Sequence, residues 1–561
     1  MSEAKQQPNT VTISVNGMKN RIIFSLVLMC CGGVLMAQAP SSDSSNYFVY
    51  GILAVVIIVF LGIVVQVSDN LLAIEARQAG ADNEALQGIS VLPRFNELFA
   101  PRTPEYVTEG TLHTLRRGHD ILLEGKADQT IKIAEVQVRT FAVQPANFIG
   151  MSPIPKVEVE PGQQIKAGDV LFFDKKRPEI KYVAPVSGEV LAVNRGEKRS
   201  IKEITILADK DVQYRTWSAP DIENSSRDTL VQFLLETGGW TLLRQRPFDI
   251  VPDPEDTPRD IFISTFDTAP LAPDLNVVVA GKGEAFQKGL DVLGKLTDGK
   301  VYLGLDARDK VAPAAIFTKA QGVEKHWFRG KHPAGNVGIQ IHHIKPVKAG
   351  DRVWALGVQE VITLGALFTE NRFNAARIVV LTGAELQQPM YVKTYIGANL
   401  GELLKGNLKN DHIRIVSGDV LSGKQKSQES FLNFYDDQVT VIEEGDDYAL
   451  FGWLLPRLVP SVSRALPSFL LPNTEFKVNT NTYGEKRAFV VTGQYESVLP
   501  MDIYPQHLMK AILANDFELM EGLGIYELSE EDIALCEFVC TSKQPLQAIL
   551  REGLEVIREQ S

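Results

Sequence analysis

The sequence predicts a multidomain α+β/α/β protein that begins with a transmembrane helix. Three observations predict it. One is the uncharged run Tyr47–Val67, "YFVYGILAVVIIVFLGIVVQV". The second is a change, midway along the chain, from short hairpin-forming strands to strand–turn–helix alternation. The third is apolar residues at helical spacing through the final stretch. At 561 residues the chain has room for several packed domains, and 45% hydrophobic with 22% charged residues is a globular composition. A net charge of −12 with a pI near 5.4 repels phosphate backbones and anionic lipid, which excludes nucleic acid as a partner.

The elements follow in chain order. Residues 1–39 hold a signal-like segment: Ile22–Met36 is apolar, Lys19 and Arg21 precede it, and Ala37 and Ala39 form an A-x-A cleavage pattern. Met18 offers a second start. Residues 40–110 hold the span 47–67 and a proline-punctuated linker. At 1.5 Å per residue that run covers a hydrocarbon core of about 30 Å, with Tyr47 and Tyr50 as interfacial anchors. Arg77, Arg94 and Arg102 follow the span, whereas "QAPSSDSSN" before it has no Lys or Arg. The positive-inside rule then places the soluble bulk on the cytoplasmic side of a bacterial inner membrane, with residues 47–67 in contact with lipid.

Residues 111–257 form a barrel-sandwich region. Lys156–Val190 alternates short strands with Pro161-Gly162, Gly168-Asp169 and Ser187-Gly188, a pattern of hairpins. "VEPGQQIKAGDVLF" and "APVSGEV" resemble the biotinyl/lipoyl-carrier hammerhead. Lys175 is nearest to a carrier's modified lysine, but the tip "DKKRPEIK" reads as too long for that role. Residues 258–372 form a Rossmann-like α/β domain: "DIFISTF" and "KVYLGLDA" read as strands, and "NVVVAGKGEAFQKGL" as strand, glycine turn and helix. Gly281 and Gly283 with Asp306 echo a dinucleotide site, but Phe286 takes the third glycine position and Glu284 puts a negative charge where a pyrophosphate docks.

Half of the eight histidines crowd into "HWFRGKHPAGNVGIQIHH". In an extended segment His342 and His343 point to opposite faces, so no metal site is expected there. His326 and His332 complete the set, which suits a polar pocket or ordinary structural use. Residues 373–458 read as a β-grasp (SLBB-like) unit of short strands and glycine turns. Residues 459–561 form a helical domain, in which Ser529 and Asp532 have capping-box spacing. Cys536 and Cys540 share a helix face there and read as buried small hydrophobes.

From about Leu112 onward the chain resembles the NqrA family, the A subunits of bacterial Na+-translocating NADH:quinone reductases. The resemblance rests on "RRGHDILLEGKADQTI", "FIGMSPIPKVEVEPGQQIKAGDVLFFDKK", "VAPVSGEVLAVNRGEKR", "LLRQRPF", "HPAGNVGIQIH", "VWALGVQEVITLGALF", "IVSGDVLSG" and "FGW", in that order. The tail "PMDIYPQHLMKAI" onward is also similar to the C subunit of the Rnf electron-transport complex. Members begin close to the "RRGHDILLEGKA" segment, so the residues before it are an addition. The Rnf relative's cysteine runs are missing here. With only two of the four cysteines outside the hydrophobic start, a four-thiolate iron–sulfur cluster cannot be built.

The resemblance implies a complex that oxidises NADH, reduces ubiquinone or menaquinone and exports Na+. It implies that FMN, FAD, riboflavin and iron–sulfur centres sit on partner subunits. No cofactor, metal or catalytic residue is then expected on this chain. Its implied roles are quinone binding and complex assembly. A quinone needs an apolar slot with hydrogen-bond donors to its carbonyls, and Arg329, Lys331, His332, His342 and His343 are the candidates. The alternative is a purely structural scaffold subunit without a ligand site of its own.

Overall fold

The computed structural model describes residues 103–128, 132–446, 473–489 and 493–560, together with Pro460, Val462 and scattered positions between 50 and 68. The chain divides into two compact units, Met1–Thr103 and Pro104–Ser561. In the first unit Tyr50, Leu53, Val56, Ile57, Phe60, Leu61 and Val64 are helical and exposed. The rest of the expected span 47–67 and the signal-like segment 1–39 lie outside the described residues. Among the described residues no helix is long and apolar enough to cross a membrane. The expected transmembrane helix therefore has no support in the structure.

The second unit is built on three β-structures. Two small sheets share one core in the barrel sandwich. The first runs Thr140–Val143, Ile201–Ala208, Gly188–Arg195, Gln164–Ile165; the second runs Lys156–Val157, Val170–Asp174, Arg177–Val183. All the pairings are antiparallel. Leu171, Phe172, Ile180, Val190, Ile204 and Ile206 fill the space between them. The hairpin at Lys175 is tighter than its sequence suggests. Strand pairing runs out to Asp174 opposite Arg177, which leaves a two-residue turn of exposed Lys175 and Lys176. Asp174 is buried and holds this turn by accepting the Lys176 N–H at 3.0 Å and the Ser152 N–H at 3.2 Å.

The α/β sheet has six strands in the order Thr111–Thr114, Glu324–Arg329, Val301–Asp306, Ile261–Ser264, Val353–Leu356, Arg244–Arg246. All are parallel except the last. Central strands such as Val353–Leu356 are buried throughout, as expected where helices cover both faces. Helices Gly283–Leu296 and Val358–Glu370 cross on one face through Gly289 and Gly365. A Cβ on Gly365 would stand 1.8 Å from the Ala285 carbonyl oxygen, so only glycine permits this approach.

Two local expectations are corrected here. "NVVV" is not a strand but part of the short helix Leu275–Val278, which Asp274 caps by accepting the Asn276 N–H at 2.9 Å. The β-branched run is overridden because tertiary packing outweighs a propensity of a few tenths of a kcal/mol per residue. Nor is "VGIQIHH" extended: it forms the helix Val337–Ile344, with His342 and His343 in the last turn.

The third sheet runs Lys424–Lys426, Ile413–Ser417, Gln438–Glu443, Ala376–Thr382, Met390–Tyr395, Ala134–Glu135, a mixed arrangement with the short helix Leu400–Leu403 packed into its core. The chain ends in the helices Pro505–Leu513, Phe517–Gly522, Glu530–Val539 and Leu546–Gln560. The last buries Leu546, Ile549, Leu550, Leu554 and Ile557, one apolar stripe at helical spacing. Ser529 and Asp532 form the capping box their spacing predicts, the carboxylate accepting the Ser529 N–H at 3.0 Å. These helices pack through Phe328, Ala334 and Ile339 onto the α/β sheet.

Candidate functional site

Four parallel strands, Thr111–Thr114, Glu324–Arg329, Val301–Asp306 and Ile261–Ser264, end at one edge of the sheet, where ligands of open α/β folds bind. His332 lies in the turn that leaves Glu324–Arg329. It is 3% exposed, and its own N–H donates to Asp120 Oδ1 at 2.8 Å. Nδ1 lies 3.1 Å from the Thr268 hydroxyl, which accepts the Gly335 N–H at 2.9 Å. Nε2 has no hydrogen-bond partner among the described residues. Burial holds the ring's pKa down at about 4, outweighing the pull of Asp419 and Asp120. At neutral pH His332 is therefore an uncharged, buried imidazole with an unpartnered Nε2.

Arg329 ends the same strand and donates from Nε to the Ala307 carbonyl at 3.2 Å. Lys331 is exposed on the same turn. Arg329, Lys331 and His332 thus share the sheet edge. His342 and His343 do not join them.

Those two histidines end the helix Val337–Ile344 and face the C-terminal helices instead. His342 Nδ1 donates to Glu527 Oε2 at 2.7 Å, while its Nε2 accepts the Asp502 N–H at 3.1 Å. His343 Nε2 donates to the Pro500 carbonyl at 2.7 Å. Behind His343 stands His113, whose Nε2 is 3.0 Å from His326 Nδ1. His326 in turn lies 3.2 Å from Glu324. Sequence reading singled out His326, His342 and His343 but missed His113, Asp502 and Glu527. The periodicity of "TLHT" could have marked a strand there, but nothing local signals its partner 213 residues away.

A surface groove of about 330 Å³ adjoins this end of the helix and is lined by Val347, Asp502, Ile503, Tyr504, Tyr526 and Glu527. Among the described residues no group of three or more His, Cys, Asp or Glu side chains is arranged to hold a metal ion. The glycine turn at Gly281 joins two helices rather than a strand to a helix, and Asp306 is held by Arg308 at 2.7 Å. Neither has the setting of a dinucleotide site. Cys536 and Cys540 are buried free thiols, and burial pushes the Cys536 pKa up, away from reactivity.

The comparisons with known proteins agree in chain order with these three sheets. Residues 113–209 match the NqrA N-terminal barrel-sandwich hybrid domain, and residues 225–373 match the NqrA second alpha/beta domain. Residues 378–428 match the NQRA C-terminal domain. The A subunit of the Na(+)-translocating NADH-quinone reductase of Alcanivorax borkumensis is 39% identical over 448 residues, which is 79% of this chain and 98% of that protein. The protein of the same name from Yersinia pestis is 40% identical over 450 residues, 80% of this chain and 99% of that protein. The one from Shewanella frigidimarina is 39% identical over 451 residues, with 80% and 99% covered. With identity at this level across almost the whole length of its relatives, the chain belongs to the NqrA family, the A subunits of the Na+-translocating NADH-quinone reductase.

Proposed function

We propose that this chain works as the A subunit of a membrane complex that passes electrons from NADH to ubiquinone or menaquinone and couples the transfer to Na+ export. The observation that carries this reading is the near-complete coverage of curated subunits of that name. In it the flavins FMN, FAD and riboflavin and the iron–sulfur centres reside on partner subunits. This chain contributes assembly surfaces and a quinone contact on the cytoplasmic side of the bacterial inner membrane. The apolar run 47–67 tethers it to lipid, its length matching a hydrocarbon core of about 30 Å.

For the quinone contact, His332 is the residue of choice. In this reading the ring's proton sits on the unpartnered Nε2, where it is the donor a quinone carbonyl accepts, and leaving that buried nitrogen unsatisfied costs on the order of 1–3 kcal/mol. His342 and His343 already serve the C-terminal helices. His332→Gln should retain a donor and lose little quinone affinity, whereas His332→Ala should weaken binding about tenfold, read by quinone titration of the purified complex. Equal affinity in both variants would remove His332 from the site and favour the scaffold reading.

The complex assignment is tested by tagging the C-terminus, extracting native membranes in mild detergent and assaying the eluate for NADH:quinone reduction with and without Na+. Flavin-bearing partners and Na+-stimulated turnover are the expected result. A chain that purifies alone, without partners or turnover, contradicts the reading.

A further inference from the structure

Four of the eight histidines form one file of rings at the seam between the α/β sheet and the C-terminal helices. It starts at Glu324, which lies 3.2 Å from His326. His326 and His113 are bonded at 3.0 Å with stacked rings, and His113 also stacks on Phe328. His113 and His343 ring centres are 6.1 Å apart, and those of His343 and His342 are 5.2 Å apart. The file ends where His342 meets Glu527 at 2.7 Å. Two of its rings also grip the segment before Pro505–Leu513: His343 through the Pro500 carbonyl and His342 through the Asp502 N–H.

We infer that this file is an acid-operated latch, which holds the C-terminal helices on the α/β sheet at neutral pH and loosens as its histidines are protonated. The bonding requires neutral rings. The His113–His326 bond needs one nitrogen with a lone pair, so it breaks when both rings are charged. His342 Nε2 accepts the Asp502 N–H, and a proton on Nε2 ends that contact. The bonds from His343 to Pro500, from His342 to Glu527 and from His326 to Glu324 survive full protonation, whereas those between His113 and His326 and from Asp502 to His342 do not.

The groups around the file do not offset four positive charges. From the sheet, Glu324 faces His326 but is shared with Lys300 at 2.5 Å, and Tyr302 and Phe328 present aromatic rings. From the C-terminal helices, Glu527 meets His342, and Asp502 offers its backbone N–H. Burial and the neighbouring imidazoles hold His113 down at about 4 and lower His343. Both folded values lie below the usual 6.5. The contribution of His113 is therefore fully present above about pH 6.5 and is lost as pH falls toward 4, and that of His343 is lost in the same direction.

The test is backbone amide exchange of the full chain at pH 7.5 and 5.5, each normalised to unfolded chain at the same pH. Protection over residues 498–503 and 340–344 should fall at least tenfold at pH 5.5, while the helix Val358–Glu370 keeps its protection. His113→Phe preserves the stack on Phe328 without a charge and should cut that response at least threefold. An unchanged response in His113→Phe, or an equal loss in Val358–Glu370, overturns the latch. Should His113→Phe fail to fold, exchange of the imidazole C2 proton in the natural chain decides. Midpoints for His113 and His343 below that of exposed His507 support the latch; midpoints equal to or above it overturn it.

Discussion

Arg377 is a buried cation held in place by its partners. Its side chain is 1% exposed, pairs with Glu360 and Asp437 and donates to the Phe434 carbonyl at 3.2 Å. Removing one partner of such a set strands the other charges away from water. Arg377→Met should cost about 3–5 kcal/mol, measured from the urea midpoint, and Glu360→Gln in the same chain should recover part of it. A loss below about 1 kcal/mol would mean that water reaches the pair. At this scale sequence legibility was uneven. The residue types at His332, His342 and His343 pointed to proton-capable chemistry, and His332 kept an unpartnered nitrogen. His342 and His343 were recognisable only as histidines. What they bond, Glu527, Asp502 and Pro500, comes from segments 157 to 185 residues away.

Among the elements, those with a repeated local pattern were readable and those set by close packing were not. Leu546–Gln560 carries its stripe in its own sequence, and the Ser529–Asp532 capping box is a four-residue signal. Leu275–Val278 and Val337–Ile344 are short and apolar, and a short apolar run fits a strand or a buried helix equally well. Packing decided between the two. A Cβ on Gly338, inside the second of these helices, would stand 2.2 Å from the Asp532 carboxylate, a contact no local rule predicts. The crossing of Gly283–Leu296 with Val358–Glu370 is of the same kind. Gly365→Ala should destabilise the chain by about 1–3 kcal/mol or more, because the added carbon meets backbone that cannot swing aside. Thermal unfolding followed by circular dichroism measures it, and an unchanged melting temperature would show that the helices can slide apart.

For the whole molecule, the buried histidines bias stability toward neutral pH. His113, His119, His332 and His343 all have folded pKa values lowered chiefly by burial. A lowered folded value means that the unfolded chain binds more protons between about pH 6.5 and 4. Stability is therefore fully present above 6.5 and lost as pH falls through that window. His332, nearly sealed from water and held at about 4, accounts for up to roughly 3 kcal/mol of that loss. The buried carboxyls Asp267, Asp437 and Asp532, pushed up to about 6, 7 and 7 chiefly by burial, act in the opposite sense, so the ring is read by difference: between pH 7 and 5 His332→Gln should gain stability relative to the unmodified chain. A difference between the two chains that stays the same from pH 7 to 5 would contradict the burial of this ring. The sequence by itself determined the order of hairpin strands, strand–turn–helix alternation, short strands and helices, because each follows from periodicities and turn residues within a few dozen neighbouring positions, while the barrel sandwich was legible through a motif resemblance. It also determined family membership, which rests on many ordered motifs. Only the tertiary structure decided which strands share a sheet. Thr111–Thr114 closes the parallel edge beside Glu324–Arg329, and Ala134–Glu135 joins a sheet built from residues 376–443. It alone decided that the five candidate residues divide between the sheet edge and the histidine file. Pairing and burial join residues hundreds of positions apart, and their energies depend on surfaces that exist only once the chain has folded.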